Sequence, residues 1–130
     1  MKKAFTLVEL LAVIALIGVL SLLAIPTIQT VMDKQKQKIY ETQVNIITDA
    51  LKTWGNMNIR LLPENDGEYI EITLNELKKS GLVSDDLTNP KTQKCYDNDN
   101  IFIIAKKGEG YTYNVNELID GNESDCEVTY

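Results

Sequence analysis

The pattern of hydrophobic positions changes twice along the chain. Residues 10–32 contain no charged side chain, and beyond Asp33 the large apolar residues return at spacings of three and four. From residue 101 onward the apolar residues fall into an alternating, two-faced pattern. The first two patterns indicate one long helix that is apolar all round in its first half and amphipathic in its second. The third pattern indicates β-strands.

The uncharged run is long enough to cross a membrane. At about 1.5 Å per residue, a helix of this length spans roughly 35 Å, slightly more than the roughly 30 Å hydrocarbon layer. Lys2 and Lys3 precede the run, and the positive-inside rule would keep them in the cytoplasm. We therefore expect everything after the helix to lie outside the cytoplasm.

The second half of the helix carries a stripe of large side chains at spacings of four, three, four and three. The stripe consists of Tyr40, Val44, Ile47, Leu51 and Trp54. Such spacing places all five side chains on one helix face. We expect the helix to continue to about Gly55 and to bury this face as core packing rather than as a ligand site.

Turn-forming residues and one capping signal interrupt the chain after the long helix. Residues 61–68 contain several turn formers and predict a loop. Thr73 and Glu76 have the spacing of a capping box, and Gly81 stands where a left-handed residue often ends a helix. We expect a short helix over residues 74–80.

The last third of the chain predicts a small antiparallel sheet. Residues 101–105 and 111–115 alternate between two faces, and residues 107–110 between them predict a hairpin turn. A third strand is expected near residues 126–130. The predicted fold is therefore α+β, with a long N-terminal helix packed on a small C-terminal antiparallel sheet.

Composition excludes several classes of function. The chain has 130 residues, 13 of them basic and 19 acidic, with a formal net charge of -6. Apart from the short run Lys34, Lys36 and Lys38, no stretch concentrates Lys and Arg on one recognisable face, so no specific nucleic-acid binding is expected. The chain has no histidine, which removes the commonest general base and the commonest zinc ligand. We expect no enzyme activity and no cofactor.

Residues 97–100 begin like a calcium-binding loop. The EF-hand pattern then requires an oxygen ligand and a glycine, but the chain has Ile101 and Phe102, and Gly108 replaces the closing Glu. We therefore expect a polar loop and no metal site.

Three ordinary explanations exist for the apolar N-terminus. A secretory signal peptide would end with small residues at alternate positions, whereas the segment 22–24, Leu-Leu-Ala, starts with a bulky one. An uncut signal anchor and a buried core helix remain open. None of the three explains Glu9, because a carboxylate near the edge of a spanning helix is costly. Either Glu9 extends to the headgroups, or it has a cationic partner.

The segment 4–10, Ala-Phe-Thr-Leu-Val-Glu-Leu, resembles the processing signature of type IV pilins and pseudopilins. The resemblance implies that a prepilin peptidase cleaves between Ala4 and Phe5, that Phe5 is N-methylated, and that Glu9 acts in filament assembly. The family usually has Gly at the position of Ala4. The implied organisation is a leader over residues 1–4, a transmembrane and filament-core helix over residues 5–32, and a globular pilin domain over residues 33–130.

The resemblance extends along the helix. Gly18 and Pro26 fall where pilins often carry helix-weakening residues. Gly costs about 1 kcal/mol and interior Pro about 3 kcal/mol relative to Ala. The resemblance implies that the helix can unwind between them inside a filament, and an ordinary kink is the alternative.

Both cysteines, Cys95 and Cys126, lie in the C-terminal third of the chain. They suit one disulfide if this part of the chain is exported, and two free thiols if it is not. Pilins often carry a C-terminal disulfide loop, so the resemblance implies that the bond forms.

The expected function is that of a structural subunit of a type IV pilus or a related filament. Its implied partners are neighbouring copies of the chain, the prepilin peptidase and the inner-membrane assembly machinery. The precursor would lie in the cytoplasmic membrane, and the assembled subunit in a cell-surface filament. The alternatives are a minor pilin, a competence or secretion pseudopilin, or, from another class, an extracytoplasmic binding module held by a signal anchor.

Overall fold

One long helix and a small sheet form most of the regular structure. The computed structural model describes residues 6–130, apart from the side chains of residues 24–26. Its helices are α1 (Leu7–Met57) and α2 (Leu74–Lys79), and its strands are β1 (Tyr69–Thr73), β2 (Ile101–Lys107) and β3 (Gly110–Val115). Short 3-10 helices span Ile59–Leu61 and Glu123–Cys126. The predicted α+β fold class is confirmed.

The chain divides into two units, Met1–Lys36 and Gln37–Tyr130. In the first unit, the described side chains from Thr6 to Leu23 and from residue 27 to residue 35 are all exposed. They include a long series of Leu, Ile and Val side chains. This part of α1 therefore presents an apolar surface on every side, as its sequence predicts.

The second unit has one hydrophobic core, which lies between one face of α1 and one face of the sheet. Ile47, Leu51 and Trp54 are buried on the helix side, and Tyr40 and Val44 pack against the same core. All five predicted stripe residues thus contact the core. On the sheet side, Ile72, Phe102 and Ile104 are buried in it.

The sheet has three antiparallel strands in the order β1-β2-β3. Ile104 lies opposite Ile70 on β1 and Tyr113 on β3, so these three side chains share the face that packs on α1. Lys107 pairs with Gly110 across the hairpin end. Gly108, the first of the two turn residues, has a φ of 60°. The primed turns that close two-residue hairpins require a positive φ at this position. The predicted hairpin is confirmed.

Thr73 caps the short helix α2 as predicted, but within the described structure the return bond of a capping box, from the N–H of Thr73 to the Glu76 carboxylate, is not formed. The Oγ1 atom of Thr73 accepts a hydrogen bond from the N–H of Glu76 at 3.2 Å, and Gly81 follows the helix with a φ of 72°. Leu74 and Leu77 of this helix are fully buried. α2 therefore closes one end of the core.

The third strand is not where the sequence predicts it. The expectation of a strand near residues 126–130 is wrong, because β1 takes that place in the sheet. The backbone of the C-terminal segment is bound by a side chain instead. The Nδ2 atom of Asn75 donates to the carbonyl of Thr129 at 2.7 Å, and the N–H of Thr129 donates to Oδ1 of Asn75 at 2.9 Å. Both backbone groups of Thr129 are thereby satisfied without a strand partner.

Candidate functional site

The N-terminal end of α1 is closed by a reciprocal pair of hydrogen bonds. The N–H of Glu9 donates to Oγ1 of Thr6 at 3.2 Å, and the N–H of Thr6 donates to Oε2 of Glu9 at 3.2 Å. The first helical bond runs from the N–H of Leu10 to the carbonyl of Thr6 at 3.2 Å. Thr6 is therefore the N-cap, and the pair forms a capping box.

This arrangement places the Glu9 carboxylate beside the helix N-terminus. The free N–H groups there carry a partial positive charge, which typically stabilises a nearby carboxylate by about 0.3–1 kcal/mol. The carboxylate of Glu9 is thus bonded to Thr6, the residue that follows the expected new terminus at Phe5. The predicted cleavage position itself, Ala4 and Phe5, lies outside the described residues.

Thr6 is absent from the sequence-based predictions. The signal that identifies it is the Thr-x-x-Glu spacing from Thr6 to Glu9, the same spacing that predicts the cap at Thr73. The assembly role of Glu9 stays a prediction, and the geometry adds a local role in starting the helix.

Gly18 and Pro26, the two predicted helix-weakening positions, both lie within α1. A Cβ atom added at Gly18 would meet nothing within 4 Å, so no contact within the described structure requires a glycine there. The weakening role of both residues stays a prediction.

The apolar surface of the first unit has the dimensions of a membrane span. One helix among the described residues is long and apolar enough to cross a bilayer, and none of its most apolar window is buried. Leaving so much apolar surface in water is unfavourable, at about 25 cal/mol for each Å². This part of α1 therefore needs lipid or other protein around it.

At the other end of the chain, Cys95 and Cys126 form a disulfide with a Cα–Cα distance of 5.4 Å. The bond links the segment before the hairpin to the 3-10 helix Glu123–Cys126. Cys95 also pairs with Thr88 in an isolated β-bridge. The disulfide implied by the resemblance is present, and it closes a loop that contains β2 and β3.

Tyr96, next to the disulfide, connects this region to α1. Its buried hydroxyl donates to Oε1 of Gln43 at 2.6 Å, and Nε2 of Gln43 donates to the carbonyl of Thr88 at 2.7 Å. Burial raises the pKa of Tyr96 to about 12, with smaller contributions from Tyr40 and Asp120. Hydrogen bonds through Gln43 therefore connect α1 to the region of the disulfide.

Lys78 is a buried cation that holds the C-terminal segment. Its Nζ atom donates to Oδ1 of Asn98 at 2.7 Å and to the carbonyl of Asp125 at 2.6 Å. The Nδ2 atom of Asn98 donates to the carbonyl of Glu127 at 2.9 Å. Burial lowers the pKa of Lys78, and the charge of Asp125 opposes that shift. These contacts fix the segment on both sides of the second cysteine.

The polar loop at residues 97–100 also fixes neighbouring backbone segments. The Nδ2 atom of Asn100 donates to the carbonyls of Asp97 at 2.7 Å and of Ile119 at 2.9 Å, and Asn98 joins the Lys78 network. In residues 6–130 no group of three or more His, Cys, Asp or Glu side chains could hold a metal ion. The amide nitrogens of Asn98 and Asn100 in this loop donate to backbone carbonyls.

The N-terminal residues of the chain are similar to a known family. Residues 1–25 match the family described as the prokaryotic N-terminal methylation motif, which is the signature of type IV pilins and pseudopilins. No curated protein and no solved structure matches the chain. The resemblance carried by residues 4–10 is therefore confirmed. The motif points to a pilin-like structural protein, and with the apolar helix it is consistent with a membrane-anchored precursor.

Proposed function

We propose that this chain is a structural subunit of a type IV pilus or a related pilus-like filament. The precursor inserts into the cytoplasmic membrane with Lys2 and Lys3 inside. A prepilin peptidase then removes residues 1–4, and the new terminus at Phe5 is methylated. The globular unit lies outside the cytoplasm, and the assembly machinery transfers the helix from lipid into a bundle of identical helices.

The observation that carries this proposal is the exposed apolar surface of α1 behind a methylation motif. The same surface is compatible with lipid before assembly and with neighbouring helices afterwards. At about 25 cal/mol for each Å², a few hundred Å² buried per subunit favours association by several kcal/mol before association costs. Burial of this surface supplies the affinity between subunits.

Glu9 supplies the register between subunits. A carboxylate enters an apolar bundle at tolerable cost only beside a positive group. The amine of Phe5, on the same subunit or on a neighbour, is the cation that processing creates. The capping box holds the carboxylate at the helix end, where this amine is formed.

Two substitutions separate the charge of Glu9 from its capping role. In Glu9→Gln the side-chain oxygen can still accept the N–H of Thr6, but the charge is lost. In Thr6→Ala the charge remains, but the hydroxyl acceptor is lost. We expect Glu9→Gln to be processed and to yield far fewer filaments, whereas Thr6→Ala keeps most of the yield. The measurement is the amount of the chain in sheared surface filaments relative to the amount in membranes.

Normal filament yield from Glu9→Gln would contradict the assembly role of the charge. A loss confined to Thr6→Ala would instead assign Glu9 to helix capping. Thr6→Ser is the matched control, because it keeps the hydroxyl acceptor and should assemble as the wild type does.

A further inference from the structure

In the second unit, α1 has an apolar stripe outside the core. Ile39, Ile46 and Met57 are 49%, 46% and 63% exposed. They are spaced by seven and eleven residues, and both spacings are close to whole numbers of helical turns. The three side chains therefore lie along one line of the helix surface.

Two threonines extend this stripe. The Oγ1 atom of Thr42 donates to the carbonyl of Lys38 at 2.9 Å, and the Oγ1 atom of Thr53 donates to the carbonyl of Asp49 at 3.0 Å. Each hydroxyl is thus turned back onto its own helix, four residues earlier. Neither hydroxyl is therefore an unpaired polar group between or beside the larger members of the stripe.

The stripe is separate from the side chains that hold the second unit together. Ile47, the neighbour of Ile46, is fully buried in the core, and so is Leu51. Lys38 and Asp49 are exposed on the same helix, on the side of the stripe away from the core by helical geometry. A linear apolar stripe with a polar border is typical of a surface that packs against another protein.

We propose that the stripe formed by Ile39, Thr42, Ile46, Thr53 and Met57 docks onto a second copy of this chain. The proposal rests on the filament function, and it extends the contact between subunits beyond the N-terminal apolar segment. The stripe lies on the same helix as the N-terminal apolar segment, because the uncharged run ends at Met32 and the stripe begins seven residues later. In a helical filament the contact is head-to-tail, so the stripe meets a different surface of the next subunit.

Thiol accessibility tests the proposal directly. The two native cysteines are bonded to each other, so an introduced cysteine supplies the free thiol. Ile46→Cys places it on the stripe, and Glu41→Cys places it at an exposed position of the same helix, outside the stripe. A maleimide reagent is added to intact filaments and, separately, to subunits dissolved in detergent. The measured quantity is the labelling rate of each thiol.

We expect the Ile46→Cys thiol to react several-fold more slowly in filaments than in dissolved subunits, and the Glu41→Cys thiol to keep more nearly the same rate. A folded Ile46→Cys subunit that is processed but excluded from filaments would support the same surface. The docking proposal would be overturned if the ratio of the labelling rate in filaments to the rate in dissolved subunits were the same for the two thiols. The filament function would then remain intact. If the wild-type chain forms no filaments, the filament function fails, and the docking proposal fails with it.

Discussion

At the scale of single residues, Lys78 shows how a small domain places a charge in its interior. Lys78 belongs to α2, and its ammonium donates hydrogen bonds to the amide oxygen of Asn98 and the backbone carbonyl of Asp125. Buried cations are tolerated when their hydrogen bonds are satisfied. These hydrogen bonds offset the cost of burying the ammonium. They also fix the C-terminal segment, which has no strand partner.

Removing the ammonium should destabilise the second unit. Lys78→Ala leaves the two acceptors without their donor, so we expect the free energy of unfolding to fall by about 1–3 kcal/mol. Lys79→Ala, at the exposed neighbouring position, should change it by less than about 0.5 kcal/mol. Urea unfolding of the full chain in detergent, followed by the fluorescence of the buried single tryptophan, Trp54, measures both. Equal effects of the two variants would contradict this role for Lys78.

Asp125 gives the domain a predictable response to acid. The N–H groups of Asn122 and Asn98 donate to its carboxylate at 2.7 and 3.1 Å. These two bonds hold the pKa of Asp125 below its usual 3.8, and the charge of Lys78 contributes. The folded state therefore binds this proton more weakly than the unfolded state. The stabilisation is present above the usual pKa and is lost as pH falls through the folded pKa.

The matching substitution is Asp125→Asn. We expect it to be less stable than the wild type at about pH 5, with the difference shrinking as the pH approaches about 2. Ser124→Ala, an exposed neighbour without an ionisable group, should run parallel to the wild type over the same range. Urea midpoints at a series of pH values provide the measurement. A difference between Asp125→Asn and wild type that does not change with pH would rule out this account of the acid response.

At the scale of elements, two adjacent isoleucines on α1 have different tasks. Ile47 is fully buried against the sheet, whereas Ile46 is 46% exposed. Ile47→Ala should lower the free energy of unfolding by about 2–5 kcal/mol, because it opens a cavity in the core. Ile46→Ala, the same chemical change one residue earlier, should cost less than about 0.5 kcal/mol. Urea unfolding measures both, and similar losses would contradict the division of the helix into a core face and a docking stripe.

Elements with strong local signals are the ones that the sequence predicts correctly. The helical stripe that includes Ile47, the cap at Thr73 and the hairpin turn at Gly108 each depend on residues close together in sequence. Strand β1, which takes the place of the predicted third strand, has no strong local signal. Ile70 and Ile72 alternate with polar neighbours in β1, but a five-residue strand beside turn formers is a weak signal.

The C-terminal segment illustrates why some features lie beyond local patterns. Its backbone groups are satisfied by Asn75, Lys78 and Asn98, which are distant in sequence and converge only in the folded unit. Neither periodicity nor propensity reports such contacts. The capping role of Thr6, in contrast, follows from the Thr-x-x-Glu pattern of residues 6–9 and could be predicted from the sequence.

At the scale of the whole molecule, the two units divide the chemistry between them. The first unit contributes exposed apolar surface and one carboxylate at its start. The second unit is a disulfide-closed domain whose core accounts for its own fold. In the proposed function the first unit supplies the apolar surface through which subunits associate, and the second adds the docking stripe and the surface that the filament shows to its surroundings.

The most direct test of the proposed function is the mass of the N-terminal peptide of the chain recovered from its host. The proposed function predicts a peptide that begins at a methylated Phe5, from chains found in surface filaments. A peptide that begins at Met1, from a chain confined to the membrane, would contradict it and identify an uncut signal anchor. A start near Ile25 without a membrane fraction would equally contradict it and identify a secreted domain.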